Sequence, residues 1–245
     1  MKNVLAKHTK IALQVSGGRD SMACLYRLRE EGLLDQVTVY WLNTGAAFPE
    51  TKEIMAHVQE IAPHFAEIAG NQPEVISRFG MPSDIVPRTS TPIGIVTGQS
   101  AVLMQDTYSC CARVVMEPMH RRMLQDEVTL IIRGQRASDG HRAPLVSGDS
   151  ELGIEYLFPI QDWTTAEVDS YLRDQGAPIH PAYEFMSQTP DCMTCSGWWE
   201  DNRASFLKAR HPEAYAEYQR RLDIIRENVD PHIYRFNKET GGQNG

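Results

Sequence analysis

Two rhythms run along this chain, short unbroken apolar runs and longer stretches in which apolar residues return every three or four positions. Ile11–Val15 is a run of the first kind ending at a glycine pair, which predicts a strand buried on both faces. A helix is expected from Asp20 to Glu31, with Gly32 near its end. Val37–Leu42 reads as a second strand, followed by a loop through Asn43–Pro49. In Glu50–Ile68 the residues Ile54, Val58, Ile61 and Phe65 recur at helical spacing, and Pro63 should kink or divide that helix. Pro73 to Gln99 is rich in Pro, Gly, Ser and Thr and predicts short surface elements.

Glu117–Gln125 predicts a helix and Val128–Arg133 a third strand, with a polar loop over Gly134–Ser150. Thr164 and Glu167 have the spacing of a capping box, for a helix running to Gln175 before Gly176. Glu213–Asn228 is a charged amphipathic helix with Tyr215, Tyr218, Leu222 and Ile225 on its packing face. Strands alternating with helices predict an α/β fold, a doubly wound, mostly parallel sheet with ligands at the carboxyl ends of its strands. The expected division is an α/β domain over 1–176, a cysteine-bearing helical segment over 177–240 and a disordered tail over 241–245.

Composition narrows the function. Apolar residues make up 42% and the formal charge is −8, an acidic balance that argues against a large phosphate-binding surface but leaves room for a small basic pocket. No run of about 18 apolar residues predicts a membrane span, and Met1–Lys10 lacks the apolar core of a signal peptide, so a cytoplasmic protein is expected. Five cysteines are too few for a disulfide scaffold: Cys110 and Cys111 are adjacent, Cys192 and Cys195 form a C-x-x-C, and Cys24 stands alone. That pattern points to a metal centre or redox chemistry, with Cys24 a small core residue.

Ser16-Gly17-Gly18-Arg19-Asp20-Ser21 follows a predicted strand and opens a predicted helix. Glycines let the backbone turn close to an anion, the helix start offers amide hydrogens, and Ser16 and Ser21 add hydroxyls. The alternative is an ordinary strand-to-helix turn. Arg133-Gly134-Gln135-Arg136, Ser138-Asp139 and Arg142 follow the third strand, where arginines can clamp a phosphate or sulfate, or simply face solvent. His141 reads as an exposed bystander, and His57 and His64 as structural. Trp163 should pack, and Trp198-Trp199 should shield a centre or fill core. Four thiolates suit an iron–sulfur cluster or zinc.

The hexapeptide at 16–21 resembles the SGGxDS loop of the PP-loop adenine-nucleotide hydrolases. Leu42-Asn43-Thr44-Gly45 with Phe48-Pro49-Glu50-Thr51 is similar to the LDTGxxFPET block of the phosphoadenosine and adenosine phosphosulfate (PAPS/APS, sulfonucleotide) reductases. Cys110-Cys111, Glu117-Pro118, Cys192-Met193-Thr194-Cys195 and Asp162-Trp163-Thr164 extend the likeness to roughly residues 10–200. The resemblance implies a 4Fe–4S cluster on Cys110, Cys111, Cys192 and Cys195, zinc being the alternative. It implies nucleotide contacts from Ser16 to Ser21, Asn43, Thr44, Gly45, Gly134 and Arg136, and catalytic roles for Asp20, Arg136 and Arg142, with Mg²⁺ on Asp20.

Two features depart from that family. Val114 and Val115 stand where it has an Arg-Lys pair, and no cysteine follows Cys195 to match its C-terminal nucleophile. The implied function is therefore adenylating, ATP-pyrophosphatase-type sulfur transfer. The alternatives are APS or PAPS reduction to sulfite with a partner's thiol, and a non-catalytic nucleotide-binding iron–sulfur subunit. The implied partners are ATP or APS/PAPS, a thiol donor or sulfur-carrier protein, a nucleic-acid acceptor reached through a partner, and further copies of the chain in a homo-oligomer.

Overall fold

The computed structural model describes residues 1–98, 101–140, 144–199 and 202–241. In chain order the elements are α1 (Lys2–Leu5), β1 (Ile11–Gln14), α2 (Arg19–Glu30), β2 (Thr38–Asn43), α3 (Pro49–Ile61), β3 (Phe65–Ala69), α4 (Gln72–Phe79), β4 (Met81–Ser83) and α5 (Pro92–Val96). They continue with β5 (Met104–Asp106), α6 (Thr107–Cys111), α7 (Glu117–Gln125), β6 (Leu130–Ile132), β7 (Ser150–Glu151), β8 (Ile154–Leu157), α8 (Thr165–Asp174), α9 (Arg203–Arg210) and α10 (Pro212–Glu239). None of these helices is long and apolar enough to cross a membrane.

Contacts divide the chain into two units, one of Met1–Asn43, Ala47–Gly70 and Glu117–Asp191, the other of Thr44–Ala46, Asn71–Met116 and Cys192–Gly245. The stretch from Asn71 to Met116 groups with the C-terminal segment, which is a matter of long-range packing that local composition does not record. Of the expected disordered tail, residues 242–245 lie outside the described residues.

The first unit carries a six-stranded sheet in the order β3-β2-β1-β6-β8-β7, parallel except for the β7–β8 pair. Its central strands are apolar on both faces, as parallel strands between helical layers must be. Ile11, Leu13, Val39, Trp41, Leu130 and Ile132 join Met22, Leu25, Tyr26, Leu28, Val168 and Leu172 in one core, while Ala12, Tyr40, Leu42 and Ile131 are buried outside that cluster. The chain winds from β1 outward to β2 and β3, then returns to place β6 on the other side of β1. This makes β1 the point where the winding reverses, and the crevice beyond the carboxyl ends of β1 and β6 is where such sheets bind ligands.

The capping box at the start of α8 forms as the sequence predicts, with Thr164 Oγ1 accepting from the Glu167 amide at 3.3 Å and Glu167 Oε2 accepting from the Thr164 amide at 2.7 Å. The long helix expected through Ile68 stops at Ile61, and Phe65–Ala69 is a short edge strand pairing with β2. Pro63 brings no amide hydrogen to continue the helix, and the His64 carbonyl instead accepts from the Val39 amide at 2.9 Å. Sequence reasoning passed over β8, a four-residue strand that pairs with β6 on one side and β7 on the other.

The second unit holds the parallel pair β4–β5, the helices α4, α5, α6, α9 and α10, and a small core of Met104, Ile225 and Val229. Helix α10 runs past the expected end at Asn228, through Pro231, to Glu239, and Val229 is its last buried residue. On its first turns Glu217 takes hydrogen bonds from Arg220 and Arg221, and these hold its carboxyl down near a pKa of about 2. A depressed carboxylate pKa stabilises the fold above the unfolded value of about 4.5 and loses that contribution as pH falls toward 2. Glu217→Gln should therefore lower the urea midpoint at pH 7, and the gap from the unchanged chain should close between pH 4.5 and 2. A gap independent of pH would contradict this.

Candidate functional site

In the first unit the turn after β1 is built by Gly17, whose φ of 84° lies in the left-handed region, and by a hydroxyl network around it. Ser21 Oγ donates to the Gly18 carbonyl at 2.8 Å and accepts from the Ser16 amide at 3.3 Å. Ser16 Oγ lies 3.5 Å from Ser21 Oγ and accepts from the Gly18 amide at 3.4 Å. Gly18 caps α2 without any side-chain hydrogen bond, so the positive end of a twelve-residue helix opens on two serine hydroxyls.

Gly134, at the end of β6, closes on this turn. A β-carbon there would lie 2.4 Å from the Asp20 carbonyl carbon and 2.5 Å from the Ser21 nitrogen, so only glycine allows the approach. The structure thus brings together the loop 16–21 and Gly134, two segments the sequence assigned to one site.

The charged residues near the turn are held mostly by one another. Arg136, expected to clamp a phosphate, is 7% exposed and enclosed by two carboxylates: Asp20 Oδ1 at 3.1 Å from Nε, and Asp139 Oδ1 at 3.2 Å from Nη2. The Asp20 contact is an ion pair without hydrogen-bond alignment, since both atoms are buried and lack a hydrogen-bond partner. Arg136 Nη1 also donates to Thr165 Oγ1 at 2.9 Å, and its amide to Asp139 Oδ2 at 2.8 Å. A guanidinium held this way ties the loop after β6 to α2 and α8.

Asp20, expected to hold Mg²⁺, turns Oδ1 to Arg136, and burial raises its pKa in spite of the arginine. Arg19 also points elsewhere: its guanidinium lies 4.5 Å from the Tyr183 ring centroid, donates to the Ser187 carbonyl at 2.9 Å and pairs with Asp169 at 3.4 Å. Its amide donates to the Tyr183 hydroxyl at 3.0 Å, and burial raises that phenol's pKa. Arg142 and His141 lie outside the described residues. Burial lowers the pKa of Arg133. A cleft of about 370 Å³ runs past Ser138, Trp163 and Thr165, but none of its lining residues belongs to the loop 16–21.

Asn43, ending β2, donates to Glu67 at 2.8 Å. In the second unit Thr44 is buried, its hydroxyl accepting from the Ala46 amide at 3.2 Å, and Gly45 has φ 75°. Cys24 is fully buried in the first unit's core, where burial raises its thiol pKa far above the ordinary value, so it packs. His57 accepts or donates at 2.9 Å with Tyr26, a structural pairing.

All four remaining cysteines belong to the second unit. Asp106 starts α6 by accepting from the Ser109 amide at 2.8 Å, which places Cys110 and Cys111 in the last turn, and a π-helical turn follows over Ala112–Met116. The C-x-x-C segment docks on the same helix. Thr107 Oγ1 donates to the Gly197 carbonyl at 2.9 Å, Ser196 Oγ to the Pro82 carbonyl at 2.8 Å, and Gly197 has no room for a β-carbon against Thr107.

Cys110 is buried, and its thiol is pushed up to about 12 by burial and then by Cys195 and Cys111 nearby. Yet no group of three or more Cys, His, Asp or Glu among the described residues has the spacing of a closed metal shell. Cys110 lies near Cys111 and Cys195, but the described residues form no ligand set for the expected four-cysteine centre.

Cations stand around those thiols. Arg203 is 1% exposed, donates from Nη1 to the Cys195 carbonyl at 2.7 Å, and has a buried Nε with no hydrogen-bond partner. Arg221 Nη1 donates to the Thr194 carbonyl at 2.9 Å. Sequence reasoning missed both. The available signal was Arg203 at helical spacing from the apolar Phe206 and Leu207, where a buried cation demands an anion. Trp198 packs edge-on to Tyr108 at 5.3 Å, whereas Trp199 is 45% exposed.

A family model described as the phosphoadenosine phosphosulfate reductase domain matches residues 10–197. The adenosine 5'-phosphosulfate reductase of Allochromatium vinosum is 21% identical over 89% of this chain and 85% of its own length. That of Burkholderia cepacia is 24% identical over 80% of this chain and 78% of its own. Among solved structures, the phosphoadenylyl-sulfate reductase of Candida auris, in a phosphate complex, superposes with a TM-score of 0.51 at 14% identity, over 77% of this chain and 84% of that one. This last likeness is one of fold.

Proposed function

The chain belongs to the phosphoadenosine phosphosulfate reductase domain family, and from that premise we propose that it binds a sulfonucleotide, APS or PAPS, and reduces it to sulfite with a thiol supplied by a partner protein. The observation that carries this reading is the start of α2 at the sheet's reversal point, where Gly18 brings no side-chain cap, the Arg19 amide alone of the first turn goes to Tyr183, and Ser16, Ser21 and Gly134 flank the turn. Its amides and hydroxyls suit the anionic end of an adenylate. Asp20 paired to Arg136 weighs against a Mg²⁺ carboxylate at the loop, and hence against hydrolysis of a Mg–ATP complex.

In the proposed reaction the partner's thiolate attacks the sulfonate sulfur, the bond from that sulfur to the bridging oxygen breaks, and AMP or its 3'-phosphorylated form leaves with the electron pair. A second thiol of the partner then attacks the resulting S-sulfonate, giving a disulfide and releasing sulfite. The two electrons come from the dithiol. Residues 16–21 serve by holding the leaving phosphate and spreading its developing charge over fixed donors.

Cys110, Cys111, Cys192 and Cys195 are the residues that would hold an iron–sulfur cluster. Four thiols have the donor chemistry for such a group, but no three or more ligating side chains among the described residues are grouped to bind a metal ion, so no step of the reaction is routed through it. When bound, such a group supplies a fixed anionic centre open to one-electron chemistry.

A second reading, ATP-driven sulfur transfer, is favoured by one observation: Val114 and Val115 stand where the reductases have an Arg-Lys pair. Anaerobically purified protein offered ATP, APS and PAPS separately distinguishes the two. Sulfite from APS or PAPS in the presence of a reduced dithiol protein supports reduction, and pyrophosphate from ATP overturns it. Nucleotide affinity tests the loop: Ser16→Ala with Gly18→Ala should abolish measurable binding by calorimetry, because a β-carbon on Gly18 lies 3.2 Å from the Tyr183 hydroxyl and one hydroxyl donor is gone. Binding at unchanged affinity would remove the loop from the site.

A further inference from the structure

The glycine–serine turn is completed by side chains from far along the chain. A β-carbon placed on Gly18 would find three hydroxyl oxygens around it: Tyr183 Oη at 3.2 Å, Ser16 Oγ at 3.4 Å and Thr189 Oγ1 at 3.6 Å. Tyr183 sits in a 3₁₀ turn over Pro181–Glu184, 164 residues after Arg19. Arg19 fastens that segment to the start of α2. Its guanidinium lies over the Tyr183 ring and donates to the Ser187 carbonyl at 2.9 Å, while Asp169 balances its charge. Because Gly18 carries no side chain, the space between the three hydroxyls stays open, and Ser16 on its rim is exposed.

A phenol has one proton to give. The Tyr183 oxygen takes a hydrogen bond from the Arg19 amide at 3.0 Å, and this contact and the Thr189 hydroxyl both lower the phenol's pKa, as donors to its oxygen do. Burial outweighs the two and raises that pKa, so the phenol keeps its proton at neutral pH. The Thr189 hydroxyl is 3.4 Å away, against about 2.7 Å for a good O–H···O bond, and holds that proton poorly. A largely desolvated donor without a good acceptor costs free energy, which an acceptor entering beside Gly18 would recover.

We propose that Tyr183 is a substrate-binding residue, its hydroxyl donating to a phosphate oxygen of an adenylate held beside Gly18, and that Thr189 is the positioning residue that steadies the phenol. This inference rests on the sulfonucleotide reading given above and deepens it, by adding a donor from outside the loop 16–21. A hydrogen bond to an anionic oxygen is about twice as strong as one between neutral groups. The hydroxyls around Gly18 therefore favour an adenylate over a nucleoside, which brings no anion to accept from them.

The test is calorimetry with AMP and with adenosine on the unchanged chain and on Tyr183→Phe. Phenylalanine keeps a ring against Arg19 and removes only the hydroxyl. AMP affinity should fall about tenfold or more, as for a hydrogen bond to a charged group, while adenosine affinity stays the same. Thr189→Val should lower AMP affinity by a smaller factor and also spare adenosine. If Tyr183→Phe does not fold, Thr189→Val, which keeps the bond from Arg19 to Tyr183, carries the comparison. AMP held by the folded variants as tightly as by the unchanged chain, or equal losses for AMP and adenosine, overturns the proposal. The loop reading survives that result if Ser16→Ala with Gly18→Ala still loses AMP. An unchanged chain that binds AMP no better than adenosine overturns both.

Discussion

Arg136→Met is expected to cost about 3–5 kcal/mol of stability at pH 7, the range for removing one partner of a buried ionic group. The arginine is 7% exposed and stands between Asp20 and Asp139, so the variant leaves two carboxylates facing each other in a poorly solvated site. The pH dependence identifies the cause. Burial already raises the folded pKa of Asp20 above 3.8, and Arg136 opposes that rise. Without the arginine the pKa climbs further, so the penalty is full above it and fades as pH falls through it and the carboxyl takes up a proton. Urea midpoints at pH 7 and pH 5 should therefore lie further apart in the variant than in the unchanged chain. Adding Asp20→Asn and Asp139→Asn should recover much of the loss. Equal destabilisation at both pH values would show that Arg136 acts through packing alone.

Gly134→Ala is expected to destabilise by at least about 3 kcal/mol, the upper end of what overpacking usually costs. The new methyl would meet three backbone atoms of Asp20 and Ser21 at 2.4–2.5 Å, and none of them can swing aside as a side chain would. The strand end and the start of α2 must separate, and the donors of the loop 16–21 separate with them. Nucleotide affinity should fall together with the urea midpoint. By contrast Gly176→Ala should spare binding, because no atom stands within 4 Å of its β-carbon position and its cost is confined to the left-handed φ of 61°. A Gly134→Ala chain as stable as its parent would mean that the β6 loop does not lock the turn.

Much of the first unit was legible in the chain because its information is local. Uninterrupted apolar runs forecast β1, β2 and β6, and turn chemistry forecast the starts of α2 and α8. The glycine–serine loop was readable for the same reason: six consecutive residues carry its conformation and its donors. β3 was not, because Phe65 continues the helical spacing of Ile54, Val58 and Ile61 by coincidence. What makes it a strand is pairing with β2, which no local pattern encodes.

Site assignment divides along the same line. The sequence by itself determined the family, the glycine–serine turn after β1 and the spacing of four cysteines, since each is a matter of which residue types stand where. Only the tertiary structure decided what the charges do. It paired Arg136 with Asp20, drew Arg19 onto Tyr183, and brought the buried Arg203 to Cys195. The physical reason is that a charged side chain is long and reports no direction from its place in the chain. Its role is set by how much water it loses and which opposite charge it meets, and both belong to the folded molecule.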